Sequence, residues 1–100
     1  MNFEEVEKRV VQWAAERDIF DGSTSLSQCK KLQEELDELT SACSCANYNE
    51  VVDGIGDMIV VLTMIAHMVG TDLFTCYASA YLEIKDRKGK MVDGLFVKEQ

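Results

Sequence analysis

The chain reads as an all-α protein, and three observations carry that reading. Apolar residues recur at three- and four-residue spacing over most of its length. No proline interrupts them. An alternating, strand-like pattern occurs only near the C-terminal end. One hundred residues suit a single domain over 1–100, and the expected architecture is a four-helix bundle with short loops.

Each element has its own signal. Phe3, Val6, Val10 and Trp13 fall on one helical face, with Asn2 and Glu5 placed as a capping pair, which predicts a helix over 3–17. "RDIFDGSTS" then reads as a loop, with Gly22 as breaker and Ser23, Thr24 or Ser25 as the next N-cap. A second helix is expected over 25–46, with Leu26, Cys29, Leu32, Leu36, Leu39 and Cys43 as its apolar stripe. Asn47, Tyr48 and Asn49 read as a turn, and a third helix over 50–69 ends at Gly70. Its second half, "MIVVLTMIAHMV", is apolar nearly all round and should be the central helix. Asp72 can cap a fourth helix reaching 88, with Leu73, Tyr77, Ala80, Tyr81 and Ile84 facing inward. "KMVDGLFVKE" predicts a small hairpin about Asp93-Gly94, or an extended tail.

Composition narrows the function. A formal charge of −8 disfavours nucleic-acid binding, which needs a basic surface to displace counterions. It leaves nucleotides open, because a cation held by carboxylates can bring a phosphate into an acidic site. The N-terminus "MNFEEVEKR" is acidic and amphipathic, unlike a signal peptide. The run from Met58 to Val69 is shorter than the roughly 20 residues a membrane span needs. Cys29, Cys43, Cys45 and Cys76 form no C-x-x-C pair and are expected to be reduced and mostly buried. A cytoplasmic protein with no membrane partner follows as the expectation.

The carboxylates are the chemistry-bearing residues. In "KLQEELDEL" (31–39), the helical period sets Glu35 and Glu38 on one flank of the leucine stripe, with Gln28 and Lys31 beside them. Glu34 and Asp37 turn toward water. Glu50, Asp53 and Asp57 share a face of the third helix, and Asp57 directly precedes its apolar half. A carboxylate there costs several kcal/mol unless paired or metal-bound, and the sequence holds no Lys or Arg between Lys31 and Lys85. A divalent cation is the economical partner for Glu35, Glu38 and Asp57 if the second and third helices pack antiparallel. Oxygen ligands alone favour magnesium, with manganese as the alternative. The plainer reading is a solvated acidic helix face with Lys30 and Lys31 as i,i+4 partners.

Smaller features point elsewhere. Gly54-Ile55-Gly56 lacks the strand and third glycine of a dinucleotide loop and reads as a close-packing site. His67 reads as a hydrogen-bonded core or interface histidine. Without E-x-x-H, a di-iron bundle is disfavoured.

"KLQEELDEL", "VVDGIGDMIVVLTMIA" and "EIKDRKGKM" together resemble the MazG-like all-α nucleoside triphosphate pyrophosphohydrolases, closest to short single-domain phage members, over about residues 13–97. The resemblance implies magnesium-dependent hydrolysis between the α and β phosphates of a (deoxy)nucleoside triphosphate, for nucleotide-pool control or house-cleaning. It implies a homodimer or a dimer of dimers. The family's first motif, E-x-x-E, falls on Glu35 and Glu38. Its second, E-x-x-D, ends at Asp57 but meets Gly54 where glutamate is expected; either Asp53 replaces that ligand, or the register shifts to Glu50 and Asp53. On this resemblance Glu35, Glu38, Asp57 and Asp53 are metal ligands, with Glu38, or else Glu34, as the water-activating base. Lys31, Lys85, Arg87 and Lys88 become phosphate contacts; the last three also suit a helix C-terminus. Trp13 and Arg17 are candidates to line the base pocket, although a tryptophan at this position is more often simply core. Gly54 keeps open a catalytically degenerate helical module that binds nucleotide or a protein partner.

Overall fold

A computed structural model describes residues 1–100. Five helices and a hairpin follow one another: α1 Phe3–Glu16, α2 Ile19–Gly22, α3 Ser25–Ser44, α4 Tyr48–Met68, α5 Leu73–Ile84, β1 Gly89–Val92 and β2 Leu95–Lys98. The four long helices lie within a few residues of the predicted spans, and the tail is a hairpin. The loop expected over 17–25 instead contains the single turn α2. Asp18 enters the left-handed region (φ 59°) and allows the chain to start that turn at once.

Side-chain caps place the helix starts. Asn2 accepts from Glu5 N (2.9 Å), Thr24 from Ser27 N (3.1 Å), Asn47 from Glu50 N (3.2 Å) and Asp72 from Thr75 N (2.8 Å). Asn47 is therefore the cap of α4 and Tyr48 its first residue, where the sequence reads as a three-residue turn. Past α4, Gly70 (φ 87°) donates to His67 O while Thr71 N donates to Ala66 O, a Schellman closure that glycine adopts without strain.

α4 is the central helix, packing against α3, α1 and α5. Its contact with α3 is the most extensive and runs antiparallel: Leu39 meets Gly54, and Leu32 meets the cluster of Ala14, Val61 and Met64. The buried side of α3 is rotated from the expected stripe. Glu35 and Ala42 are buried and Gln28, Leu32 and Leu39 half-buried, whereas Leu26, Leu36, Cys29 and Cys43 are exposed. The seam thus runs Gln28, Leu32, Glu35, Leu39, Ala42, at spacings of four and three. All four cysteines are free and exposed, contrary to the buried thiols expected.

The bundle does not close. On α5 only Leu73 and Ala78 are half-buried; Tyr77, Ala80, Tyr81 and Ile84, expected inside, are exposed. α5 is tied at its start, where Glu7 of α1 accepts from the N–H groups of Leu73 and Phe74. The hairpin turns through Asp93 and Gly94, both at positive φ as a type I′ turn requires. Its residues are exposed throughout.

Candidate metal centre

Antiparallel packing of α3 on α4 brings three carboxylates together. One oxygen each from Glu35, Glu38 and Asp57 lies within 4.8 Å of the other two. Glu35 occupies a core position of the α3 seam and is 7% exposed; Glu38 and Asp57 reach the same point from the rim and are exposed. Glu35 and Glu38, which the helical period sets together on one flank of the stripe, thus differ in burial, and Asp57, expected to need a partner before the apolar half of α4, is exposed. The register that lets Leu39 rest on the backbone of Gly54 places Glu38 and Asp57 at the α3–α4 margin.

Glu35 is unequally satisfied. Its Oε1 pairs with Lys31 Nζ at 3.3 Å, while its Oε2, buried, finds no hydrogen-bond partner within the protein. Lys31 is shared, since Glu34 Oε2 lies 3.5 Å from the same ammonium. The Glu35 hydrogen bond and charge, followed by those of Glu34, hold the Lys31 ammonium above its usual range. Lys31 therefore stays charged through neutral pH. Gln28, one turn before Lys31, donates to Ser23 Oγ at 3.0 Å and leaves its own Oε1 buried without a partner. A buried carboxylate oxygen without a donor is costly, and a bound cation would offset that cost. The donor set, three carboxylates and no imidazole or thiolate, fits magnesium or manganese.

Asp53 and Glu50 stand outside this triad. Asp53 instead lines, with Asp57, a cleft of about 510 Å³ between α1 and α4, floored by Phe3, Val6, Val10 and Ile59. Gly54 is a packing residue: a Cβ there would lie 3.2 Å from Leu39 Cδ1 and 3.4 Å from Leu39 Cα. The contact that forms the triad thus excludes a longer side chain at the position where a fourth ligand was sought.

The other candidates lie apart. Arg17 stacks over Trp13, its Cζ 4.6 Å from the ring centroid, and donates to Trp13 O at 3.2 Å. Trp13 is exposed rather than core, and neither residue lines the cleft beside the carboxylates. Lys85 pairs with Asp86 at 3.6 Å, and Arg87 and Lys88 meet Lys98 and Glu99 at the hairpin base, sharing no cleft with the triad. A larger cavity, about 790 Å³, opens between α1, α4 and α5 near Glu7, His67 and Tyr77, but none of the triad lines it. His67 is exposed and lies against Phe20, with ring centroids 4.4 Å apart.

The cleft lining is what sequence reasoning missed. Phe3, Val6 and Val10 read only as one helical face from their spacing; their cleft position was legible only in that Val52, Gly56 and Ile59 share a face of α4 next to Asp53.

No family model matches the chain. No solved structure matches it. Over 59 residues it is 37% identical to an uncharacterized 18.2 kDa protein in the rep-hol intergenic region of Haemophilus phage HP1. The match covers 59% of this chain and 36% of that protein, so the chain spans about a third of its relative's length. That likeness gives a phage-encoded relative and no chemistry.

Proposed function

We propose that the chain is a magnesium-dependent nucleoside triphosphate pyrophosphohydrolase of MazG-like type. The observation that carries the proposal is the triad of Glu35, Glu38 and Asp57, contributed by two helices, with one buried carboxylate oxygen left without a donor. Residues of these types in this order are also the ones on which the family resemblance rests.

Glu35, Glu38 and Asp57 would hold the cation; when bound, it offsets phosphate charge and lowers the pKa of a water. Lys31 fixes the Glu35 carboxylate through its ion pair, and a buried, braced ligand loses little freedom on binding. Glu38, exposed at the rim, accepts the proton of the attacking water. The water oxygen bonds to the α phosphorus, the bond from that phosphorus to the α–β bridging oxygen breaks, and pyrophosphate leaves with the electron pair. The apolar cleft between α1 and α4, which Asp57 borders, receives the nucleoside.

Product identification tests this. Pure protein with magnesium and a panel of nucleoside triphosphates should yield monophosphate and pyrophosphate. Glu38→Gln should lower turnover by about 10²-fold or more while its far-UV circular dichroism stays unchanged. Orthophosphate and a diphosphate as products, or full activity in Glu38→Gln, would reject the mechanism. A second reading, nucleotide binding without cleavage, draws on Gly54, whose packing removes one expected ligand. Tight binding with no product would select it.

A further inference from the structure

The side chains of the cleft between α1 and α4 are polar in one sense only. Twelve residues line it, and four of them carry polar side chains: Glu7, Asp53, Asp57 and Thr63. Three are carboxylates, which accept hydrogen bonds and donate none. The one hydroxyl is spent, since Thr63 Oγ1 donates to Ile59 O at 2.7 Å. The N–H groups at the start of α5, beside Leu73 in the cleft wall, are taken as well: those of Leu73 and Phe74 by Glu7, and that of Thr75 by Asp72. The cleft side chains thus offer acceptors and apolar surface, and a ligand matches them with donors.

Two of the three carboxylates are committed. Glu7 Oε1 holds the α5 amides, and Asp57 belongs to the triad with Glu35 and Glu38. Asp53 stands outside the triad and takes part in none of the chain's ion pairs. At i,i+4 from Asp57 it shares that side of α4, one turn or about 6 Å along the helix. In a nucleoside triphosphate the sugar is the part bonded to the α phosphate, and its free hydroxyls are donors. With the α phosphate at the triad, the sugar comes within a helical turn of Asp57, opposite Asp53. The base extends further, onto apolar side chains such as Phe3, Val6 and Ile59.

We infer that Asp53 is a specificity residue that accepts hydrogen bonds from the sugar hydroxyls, which makes ribonucleoside triphosphates the preferred substrate class. The inference rests on the reading of Glu35, Glu38 and Asp57 as the cation and phosphate end of the site. Two carboxylate oxygens match the neighbouring 2′- and 3′-hydroxyls of ribose, and an acidic side chain holds a ribose hydroxyl in the same way in dinucleotide sites. A 2′-deoxy sugar leaves one of those oxygens without its donor. Since the base meets apolar side chains, discrimination among substrates falls on the sugar more than on the base.

Titration calorimetry with magnesium and α,β-methylene adenosine triphosphate, which resists cleavage at that bridge, tests this independently of turnover. The 2′-deoxy analogue should bind about tenfold more weakly, and the 2′,3′-dideoxy analogue more weakly again. Asp53→Ala should remove the difference among the three. Should that variant fail to fold, Asp53→Asn, which keeps one acceptor oxygen, should narrow it. Equal affinities in the wild type overturn the inference. So does an Asp53→Ala chain that binds all three more weakly yet still ranks them, which would assign Asp53 to the cation. The underlying reading fails separately. Sugar-dependent binding with no monophosphate or pyrophosphate from the cleavable nucleotides supports the role of Asp53 and rejects only the hydrolase. Hydrolysis with a KM independent of the sugar rejects only the role of Asp53, and no binding of any analogue rejects both.

Discussion

Gly54 shows how one residue sets both packing and chemistry. Helix propensity argues against glycine mid-helix by about 1 kcal/mol relative to alanine. The contact with Leu39 reverses that preference, because a Cβ at position 54 already meets Leu39 Cδ1 at 3.2 Å. Gly54→Glu, which would give α4 an E-x-x-D spacing ending at Asp57, should therefore destabilise the chain by roughly 1–3 kcal/mol through overpacking. Urea denaturation would show this as a lower midpoint at constant slope. In the Leu39→Ala background the same change should cost less, and the difference measures the coupling. Equal costs in both backgrounds would mean that Leu39 is not what excludes the side chain.

At the scale of an element, α5 is held by its first turn. Asp72 accepts from Thr75 N and pairs with the Thr75 hydroxyl, and these bonds hold its carboxyl below the ordinary value of 3.8. A depressed folded-state pKa contributes stability that is present above 3.8 and is lost as pH falls through the folded value. Asp72→Asn keeps the acceptor but removes the charge, so thermal melts should show less loss of stability between pH 4 and pH 2 than in the wild type. Glu7 holds the same turn from α1 by accepting from Leu73 and Phe74 N–H. Glu7→Ala should speed hydrogen exchange at those two amides with little change in α3. Unchanged exchange there would show that α5 is anchored elsewhere.

For the molecule as a whole, the hairpin and the helices are separate units of stability. β1 pairs only with β2, and the Phe96 ring lies over Gly89, where a Cβ would come within 2.7 Å of its Cζ. Phe96→Ser should uncover Gly89 and disorder the hairpin, which two strands alone stabilise only marginally. The helical melt should stay within about 0.5 kcal/mol of wild type, as for other surface changes. Circular dichroism at 222 nm together with amide chemical shifts of 89–98 would separate the two effects. A matching fall in the helical melt would mean that the hairpin braces the bundle.

The legible part of this protein was local. Caps at Asn2 and Asp72, the breaker Gly70 and the Asp93-Gly94 turn each act within a few residues, so most helix ends and the hairpin could be read directly. The pairing of Glu35 and Glu38 on one flank followed from the helical period. Tertiary structure decided which apolar residues are covered, since periodicity gives a stripe without saying what lies against it. Leu26, Leu36, Tyr77 and Tyr81 have the spacing of core residues and stand exposed, while Glu35 occupies the seam. It also decided how the carboxylates meet, because helical period relates residues within one helix only. The register between α3 and α4, set by Leu39 on Gly54, carries Asp57 to Glu35 and Glu38 and leaves Asp53 to the neighbouring cleft.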